Sequence, residues 1–397
     1  MTGDPPSLLL TGAFLSDHSY GFAMRALFYL SLFMLVYGSL YPFSYGFTPL
    51  DQIDWFPDTA TVSKADILGN VALCIPAGLF GALYGMEKRY WFWIRLSLTV
   101  LFAILVQFAQ IFIAGRVPSM LDVVFNLIGL GTGLIAAFCL RGFLKRYPMP
   151  LPPIVFMLLG AFLIYQLIPF VPSLDWGLVK GNLKSSLAAS ENFSIESMLR
   201  YLAYWFTLGA VFLAGARDQN RTGWIFGLLL LGAVTVFPLR ILILKNDPTL
   251  AQFFGAFLGS ILFLAMTKLR EKRIYLAIGL IVLVLLNNGL TPFIFREEAQ
   301  MISLMPFGGF LSGSMLANLI ALSWKLFIYS QLIFLLIISG LTPWRAGGAV
   351  AVLLLSMETA QIFLAAGTPE ITDPILALLL GAIMPGLMQA GNQRSTA

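Results

Sequence analysis

Twelve apolar stretches follow one another along this chain, and each is about the length that a helix needs to cross a bilayer core, roughly 20 residues. They cover 22–41, 66–86, 94–114, 121–140, 152–170, 198–216, 223–243, 249–267, 274–294, 314–340, 344–365 and 371–389. Charged residues make up 11% of the sequence and the mean hydropathy is +0.87. A soluble domain carries about 25% charged residues, so this chain lacks the charge to cover a water-facing surface. The reading is an all-α polytopic membrane protein. Soluble enzyme, disordered chain and nucleic-acid partner are excluded; the excess of 24 Lys and Arg over 19 Asp and Glu is small. The tenth stretch is the least regular. It carries Lys325 and follows Met305-Pro306-Phe307-Gly308-Gly309, where a re-entrant segment is the alternative to a plain span.

With twelve spans, one side of the membrane holds both termini and the loops after every even-numbered span. That side collects 15 of the 24 basic residues, among them Lys88, Arg89, Arg95, Arg141, Lys145 and Arg146, then Lys268, Arg270, Lys272 and Arg273. The excess of basic residues marks the cytoplasmic side. Both termini are therefore expected in the cytoplasm, and 14 of the 19 acidic residues fall outside or in the outer halves of spans.

Three short strings recur: Leu40-Tyr41-Pro42-Phe43, Leu167-Ile168-Pro169-Phe170 and Leu290-Thr291-Pro292-Phe293. Each closes the first helix of a four-helix block. Residues 107–122 also align with 358–373 at a constant offset of 251, with seven of sixteen positions identical, including Gln110/Gln361, Pro118/Pro369 and Asp122/Asp373. The expected architecture is about twelve transmembrane helices in three parallel four-helix repeats. The repeats are placed at 20–147, 148–270 (degenerate) and 271–397, with Pro148-Met149-Pro150-Leu151-Pro152-Pro153 as a linker.

Polar residues inside such spans cost free energy and face partners or cavities. In the first block they come in pairs on one helix face: Asp66 with Asn70, Gln107 with Gln110, and Asp122 with Asn126. Arg116 lies in the short turn between the third and fourth spans, where Asp122 or a ligand anion would pair with it. Asn70, Gln107, Gln110, Arg116, Asp122 and Asn126 are expected to converge in one outward-facing pocket. The bland alternative is helix-end chemistry: Asp at a helix start caps it and favours its dipole, and Gln and Asn bond between helices. The third block repeats the pattern with Glu358, Gln361 and Asp373. The second block shows nothing comparable. Cys74 and Cys139 lie in apolar runs and read as small buried hydrophobes. With His18 the single histidine, His-based triads and His-rich metal sites are excluded, and no metal or cofactor is expected. Leu8–Leu15 is too short, and lacks the preceding basic residues, to read as a cleavable signal.

The ordered series Pro42-Phe43, Asn70, Pro76-Ala77-Gly78, Gln107-Phe108-Ala109-Gln110, Gly115-Arg116 and Asp122 to Gly129 resembles the VanZ-like family. That family has Glu where this chain has Gln107. The third block is a poorer copy, with Glu358, Gln361 and Asp373 present but Gly367 and Ala377 where the family has Arg and Asn. The resemblance implies a multi-pass protein of the bacterial inner membrane, of a family named for a low-level resistance factor against the glycopeptide teicoplanin. The favoured function is a pocket for an envelope lipid, a lipid-linked glycan precursor or an amphipathic antibiotic. The alternatives are a membrane enzyme on a lipid-linked substrate, with Glu358 or Asp122 as acid or base, and a transporter.

Overall fold

The computed structural model describes residues 17–58, 64–85, 89–146, 152–169, 172–173, 175–187, 193–216, 221–243, 248–311 and 314–388. Helix dominates it, and a helix stands at each of the twelve apolar stretches. The first four are α1 (Asp17–Leu40), α2 (Lys64–Gly85), α3 (Arg89–Gln110) and α4 (Met120–Arg146). The next four long ones are α5 (Pro153–Leu167), α7 (Ile195–Gly215), α8 (Thr222–Leu242) and α9 (Leu250–Ala265), with a shorter α6 (Trp176–Leu187) after α5. The last are α10 (Arg270–Leu290), α12 (Met315–Ile338), α13 (Pro343–Gln361) and α14 (Thr372–Met388), with a single turn α11 (Gly308–Leu311) after α10. Among the described residues, seven helices are long and apolar enough to cross a membrane, and α2, α5, α9 and α14 hold shorter apolar helices. Large apolar side chains such as Leu101, Leu105, Phe108, Ile135 and Phe138 are exposed along them. In water such a surface would be a liability; in lipid it is the surface required.

The helix ends have local causes. Tyr41-Pro42, Ile168-Pro169 and Thr291-Pro292 follow α1, α5 and α10, and a residue before proline leaves the helical region. The three bonds are cis, and Phe43 and Phe293 then take φ of 62° and 59°. Pro153 and Pro343 occupy the first positions of α5 and α13, where a missing N–H costs nothing. Thr249 and Gln252 close a reciprocal capping box on α9.

By Cα packing the chain divides into two compact units, Met1–Met149 with Pro385–Ala397, and Pro150–Met384. In the first, α2 and α4 approach closest. A Cβ on Gly129 would lie 2.1 Å from the Val71 carbonyl oxygen, and one on Gly133 2.1 Å from that of Ile75. The pair forms a small-xxx-small stripe that lets backbones meet, the usual way helices associate where lipid removes the hydrophobic drive. In the second unit α9 meets α7 in the same manner, with Gly255 over the Met198 carbonyl and Gly259 over that of Leu202. Two helices there are enclosed on every side: α7 from Ala203 to Leu213 and α12 from Phe327 to Leu335. Phe162 of α5 packs on Phe327 and Trp205, with ring centroids 4.8 and 5.5 Å apart. The Trp324 indole N–H donates to the Tyr204 hydroxyl at 2.6 Å.

After α1, α5 and α10 the chain crosses the ends of α3, α8 and α13. Tyr45 bridges to Ile113, Pro172 to Ile243 and Phe295 to Leu364. Around the first bridge, the N–H groups of Gly46 and Thr48 reach the Phe112 and Ile111 carbonyls. Around the third, those of Arg296 and Gln300 reach Phe363 and Ile362. Helix α6 lies within the middle crossing segment and has no counterpart among the twelve expected stretches. Its Trp176, Leu178, Leu183 and Leu187 are exposed beside Lys180 and Lys184, a composition that suits a membrane interface.

Candidate functional site

In the first unit the crossing segment lies against the end of α3, and of the expected polar residues Asn70 and Asp122 bond to each other, while Gln107, Gln110 and Arg116 each bond to backbone groups. Asn70 of α2 donates its amide to Asp122 Oδ1 of α4 at 2.7 Å. Gln107 Oε1 accepts from the Ser119 backbone N–H at 3.1 Å, which pins the turn back onto α3. Gln110 Nε2 donates to the Ser39 carbonyl at the end of α1, at 2.9 Å. The last two of these bonds satisfy backbone groups beside helix ends. The side chain of Asp66 lies outside the described residues.

Arg116 does something different from its expected pairing. Its Nε donates to the Tyr41 carbonyl at 2.7 Å and its Nη2 to that of Gly38 at 3.2 Å. The guanidinium therefore caps the C-terminal end of α1, where the dipole favours a cation. The turn that carries it depends on Gly115 at φ 79°, a conformation that glycine adopts freely. Charge-assisted bonds of this kind contribute about 1.5–3 kcal/mol each. Arg116→Ala is therefore expected to lower stability by about 2–4 kcal/mol in thermal unfolding of the detergent-solubilised protein. Arg116→Lys should recover less than half of that, because one ammonium cannot serve both carbonyls in the same fork. An Arg116→Ala protein with unchanged unfolding would show that the clasp carries no weight.

Asn126 is the exception in the set. It is 1% exposed and neither its Oδ1 nor its Nδ2 has a hydrogen-bond partner. Gln110 Oε1 is buried and unmet as well. An unmet buried polar group costs about 1–3 kcal/mol, so each of these two side chains marks a point where a further group is wanted.

In the second unit the three expected residues are all engaged. Glu358 Oε2 accepts from the Glu370 N–H at 2.7 Å, the bond that Gln107 makes to Ser119 twelve residues on. Gln361 Nε2 donates to the Gly289 carbonyl at 2.9 Å, as Gln110 does to Ser39. Asp373 accepts from Lys325 Nζ at 2.5 Å and from the Tyr329 hydroxyl at 2.7 Å. The absent arginine is replaced from the other side: Arg296 Nε and Nη2 donate to the Leu364 and Gly367 carbonyls at 2.6 and 3.1 Å.

The middle helices hold a buried network that the sequence reading passed over. Arg240, 9% exposed, donates from Nη1 to Gln252 Oε1 at 2.7 Å and to the Tyr201 hydroxyl at 2.9 Å. Tyr201 in turn donates to Gln166 Oε1 at 2.9 Å. The signal was available as an arginine inside an otherwise apolar helix, which is rare enough to demand partners. An open apolar face lies elsewhere, on α3, formed by Tyr90, Trp93, Ile94, Ser97, Leu98 and Leu101. It shares no residue with the polar set. Among the described residues no group of His, Cys, Asp and Glu side chains is placed to hold a metal ion.

Comparison with known proteins gives one family. Residues 21–141, α1 to α4 with the crossing segment, match the family model VanZ/LLP1. No curated protein and no solved structure matches the chain. The chain is thus a membrane protein with a VanZ-like unit at its first four long helices.

Proposed function

We propose that this VanZ-like membrane protein binds the polar head of a membrane amphiphile in its first unit, between α2, α3 and α4. An envelope lipid, a lipid-linked glycan precursor and an amphipathic antibiotic are the candidate ligands. The observation that carries this reading is the Asn126 amide, buried and unmet, with Gln110 Oε1 in the same condition. The stripe Asp122, Asn126, Gly129, Gly133 runs along the side of α4 that faces α2. Anything that reaches Asn126 is therefore held between tightly packed helices and selected by hydrogen bonds. Catalysis is the weaker reading, since Glu358 is occupied by the Glu370 N–H and Gln107 holds the matching place in the first unit.

The test removes the amide without removing volume. Asn126→Leu is expected to lower the amount of co-purifying polar lipid about tenfold while membrane abundance stays unchanged; a tenfold change corresponds to about 1.4 kcal/mol of binding. Melting without ligand should stay level or rise, because the orphan is gone. Equal lipid retention by the variant and the wild type would refute the pocket.

We further propose that the protein sits in the bacterial inner membrane with both termini cytoplasmic and is built of three parallel four-helix copies. The basic-residue asymmetry supports the orientation. The matching bonds of Gln107 with Glu358, of Gln110 with Gln361, and of the three crossing segments support the copies. A cysteine at Thr368 should react with a membrane-impermeant thiol reagent from outside intact cells. Reaction only after the cytoplasmic face is exposed would reverse the orientation.

A further inference from the structure

We propose that the unmet amide groups of Gln110 and Asn126 take an uncharged, hydroxyl-bearing headgroup, in the place that the Arg240 guanidinium fills among the middle helices. The inference rests on the pocket reading above and names its ligand class.

The correspondence comes from backbone geometry. Gly129 and Gly133 sit over the carbonyls of Val71 and Ile75, and Gly255 and Gly259 sit over those of Met198 and Leu202. Three residues before the first glycine of each pair stand Asn126 and Gln252. At the end of the third helix, the Ile113 N–H returns to the Gln110 carbonyl at 3.0 Å and the Ile243 N–H to that of Arg240 at 3.2 Å. Each isoleucine then bridges to its crossing segment, at Tyr45 and at Pro172. Gln110 and Asn126 thus occupy the stations of Arg240 and Gln252.

What fills the stations differs. Arg240 Nη1 spans to Gln252 Oε1 at 2.7 Å and to the Tyr201 hydroxyl at 2.9 Å. Gln110 is a shorter side chain, and its amide nitrogen is spent on the Ser39 carbonyl at 2.9 Å. The reach of the guanidinium is missing in the first unit, and Asn126 Oδ1, at the station of the Gln252 acceptor, stays unmet. In the third set Ala377 stands at the offset of Asn126, so no polar group there calls for a partner.

The orphan inventory defines the guest. Gln110 Oε1 and Asn126 Oδ1 need donors, and Asn126 Nδ2 needs an acceptor. Turning the Asn126 amide over exchanges its ends and leaves that inventory unchanged. A phosphate only accepts, and Asp122 stands one turn away on the same stripe of α4. An ammonium only donates and leaves Nδ2 unmet. A hydroxyl both donates and accepts, and neighbouring hydroxyls on a sugar or polyol serve all three atoms. Phe108 of α3, Phe112 just after it, and Val124, Leu127 and Ile128 of α4 are exposed, so a guest with apolar chains has a surface for them.

The full chain in phosphatidylcholine nanodiscs, doped in turn with monoglucosyl diacylglycerol, phosphatidic acid or phosphatidylethanolamine, tests this by native mass spectrometry. The wild type should retain one monoglucosyl diacylglycerol. Asn126→Leu and Gln110→Leu should each reduce that retention about tenfold, with melting temperatures confirming that both variants are folded. Retention of phosphatidic acid or phosphatidylethanolamine that depends on Asn126, with none of the glucolipid, would overturn the hydroxyl class and leave the pocket standing. No Asn126-dependent retention of any lipid would overturn both.

Discussion

Lys325→Met is expected to destabilise the protein by about 3–5 kcal/mol, the cost of leaving a buried charge without its partner. The Asp373 side chain is 11% exposed and that of Lys325 30%. Removing the ammonium leaves Asp373 with the Tyr329 hydroxyl at 2.7 Å as the remaining donor shown on it. Breaking one partner of such a pair costs far more than replacing both, so Lys325→Met with Asp373→Asn should recover most of the loss. Equilibrium unfolding of the full chain in detergent, run as a double-mutant cycle, gives the coupling directly. A loss below about 1 kcal/mol for the single variant would place the pair among surface ion pairs.

The second large effect concerns the helix contact that holds the first unit together. A Cβ at Gly133 would stand 2.1 Å from the Ile75 carbonyl oxygen and 2.8 Å from the Leu79 nitrogen, both of them backbone atoms that cannot turn aside. Gly133→Leu must push α2 and α4 apart, break the approach of Gly78 to the Leu130 carbonyl, and cost about 3 kcal/mol or more, at or beyond the upper end for overpacking. Gly131 is the control, on the same helix with nothing within 4 Å of an added Cβ. Gly131→Leu should change stability by less than about 0.5 kcal/mol. Comparable losses at both positions would mean that glycine matters here for helix flexibility and not for the close approach.

Helix positions were legible because a span announces itself twice, by its apolar length and by the proline that follows α1, α5 and α10. Helix α6 was not, since Trp176 to Leu187 is short and mixes Leu with Lys and Asn, so neither length nor hydropathy marks it. Chain packing joins the middle and last sets of helices in one unit, because Phe162, Trp205, Tyr204 and Phe327 interlock. The contacts of Phe327 with Phe162 and Tyr204 run between residues more than a hundred positions apart and leave no periodic trace.

The polar set shows the same division. Side-chain spacing along a helix is readable, so Asp122 and Asn126 could be assigned to one stripe of α4. Which group each one meets depends on distant backbone. Arg116 turned to carbonyls some 75 residues away, in preference to the carboxylate six residues on, because the end of α1 presents two acceptors that nothing else serves. Arg240 escaped notice because its partners Gln252 and Tyr201 differ in type from the residues at the matching stations, Asn126 among them. Alignment by identity therefore finds nothing there, while alignment by glycine contacts does.

The claim on which the functional account turns is that a polar guest reaches Asn126. A density map of the full chain in nanodiscs of native lipid examines that atom by atom. The account predicts non-protein density between Gln110 and Asn126, within hydrogen-bond distance of the Asn126 amide and continuous with an apolar tail along α3 and α4. A map in which Asn126 is bonded to the chain's own groups, with no density beside it, would contradict it.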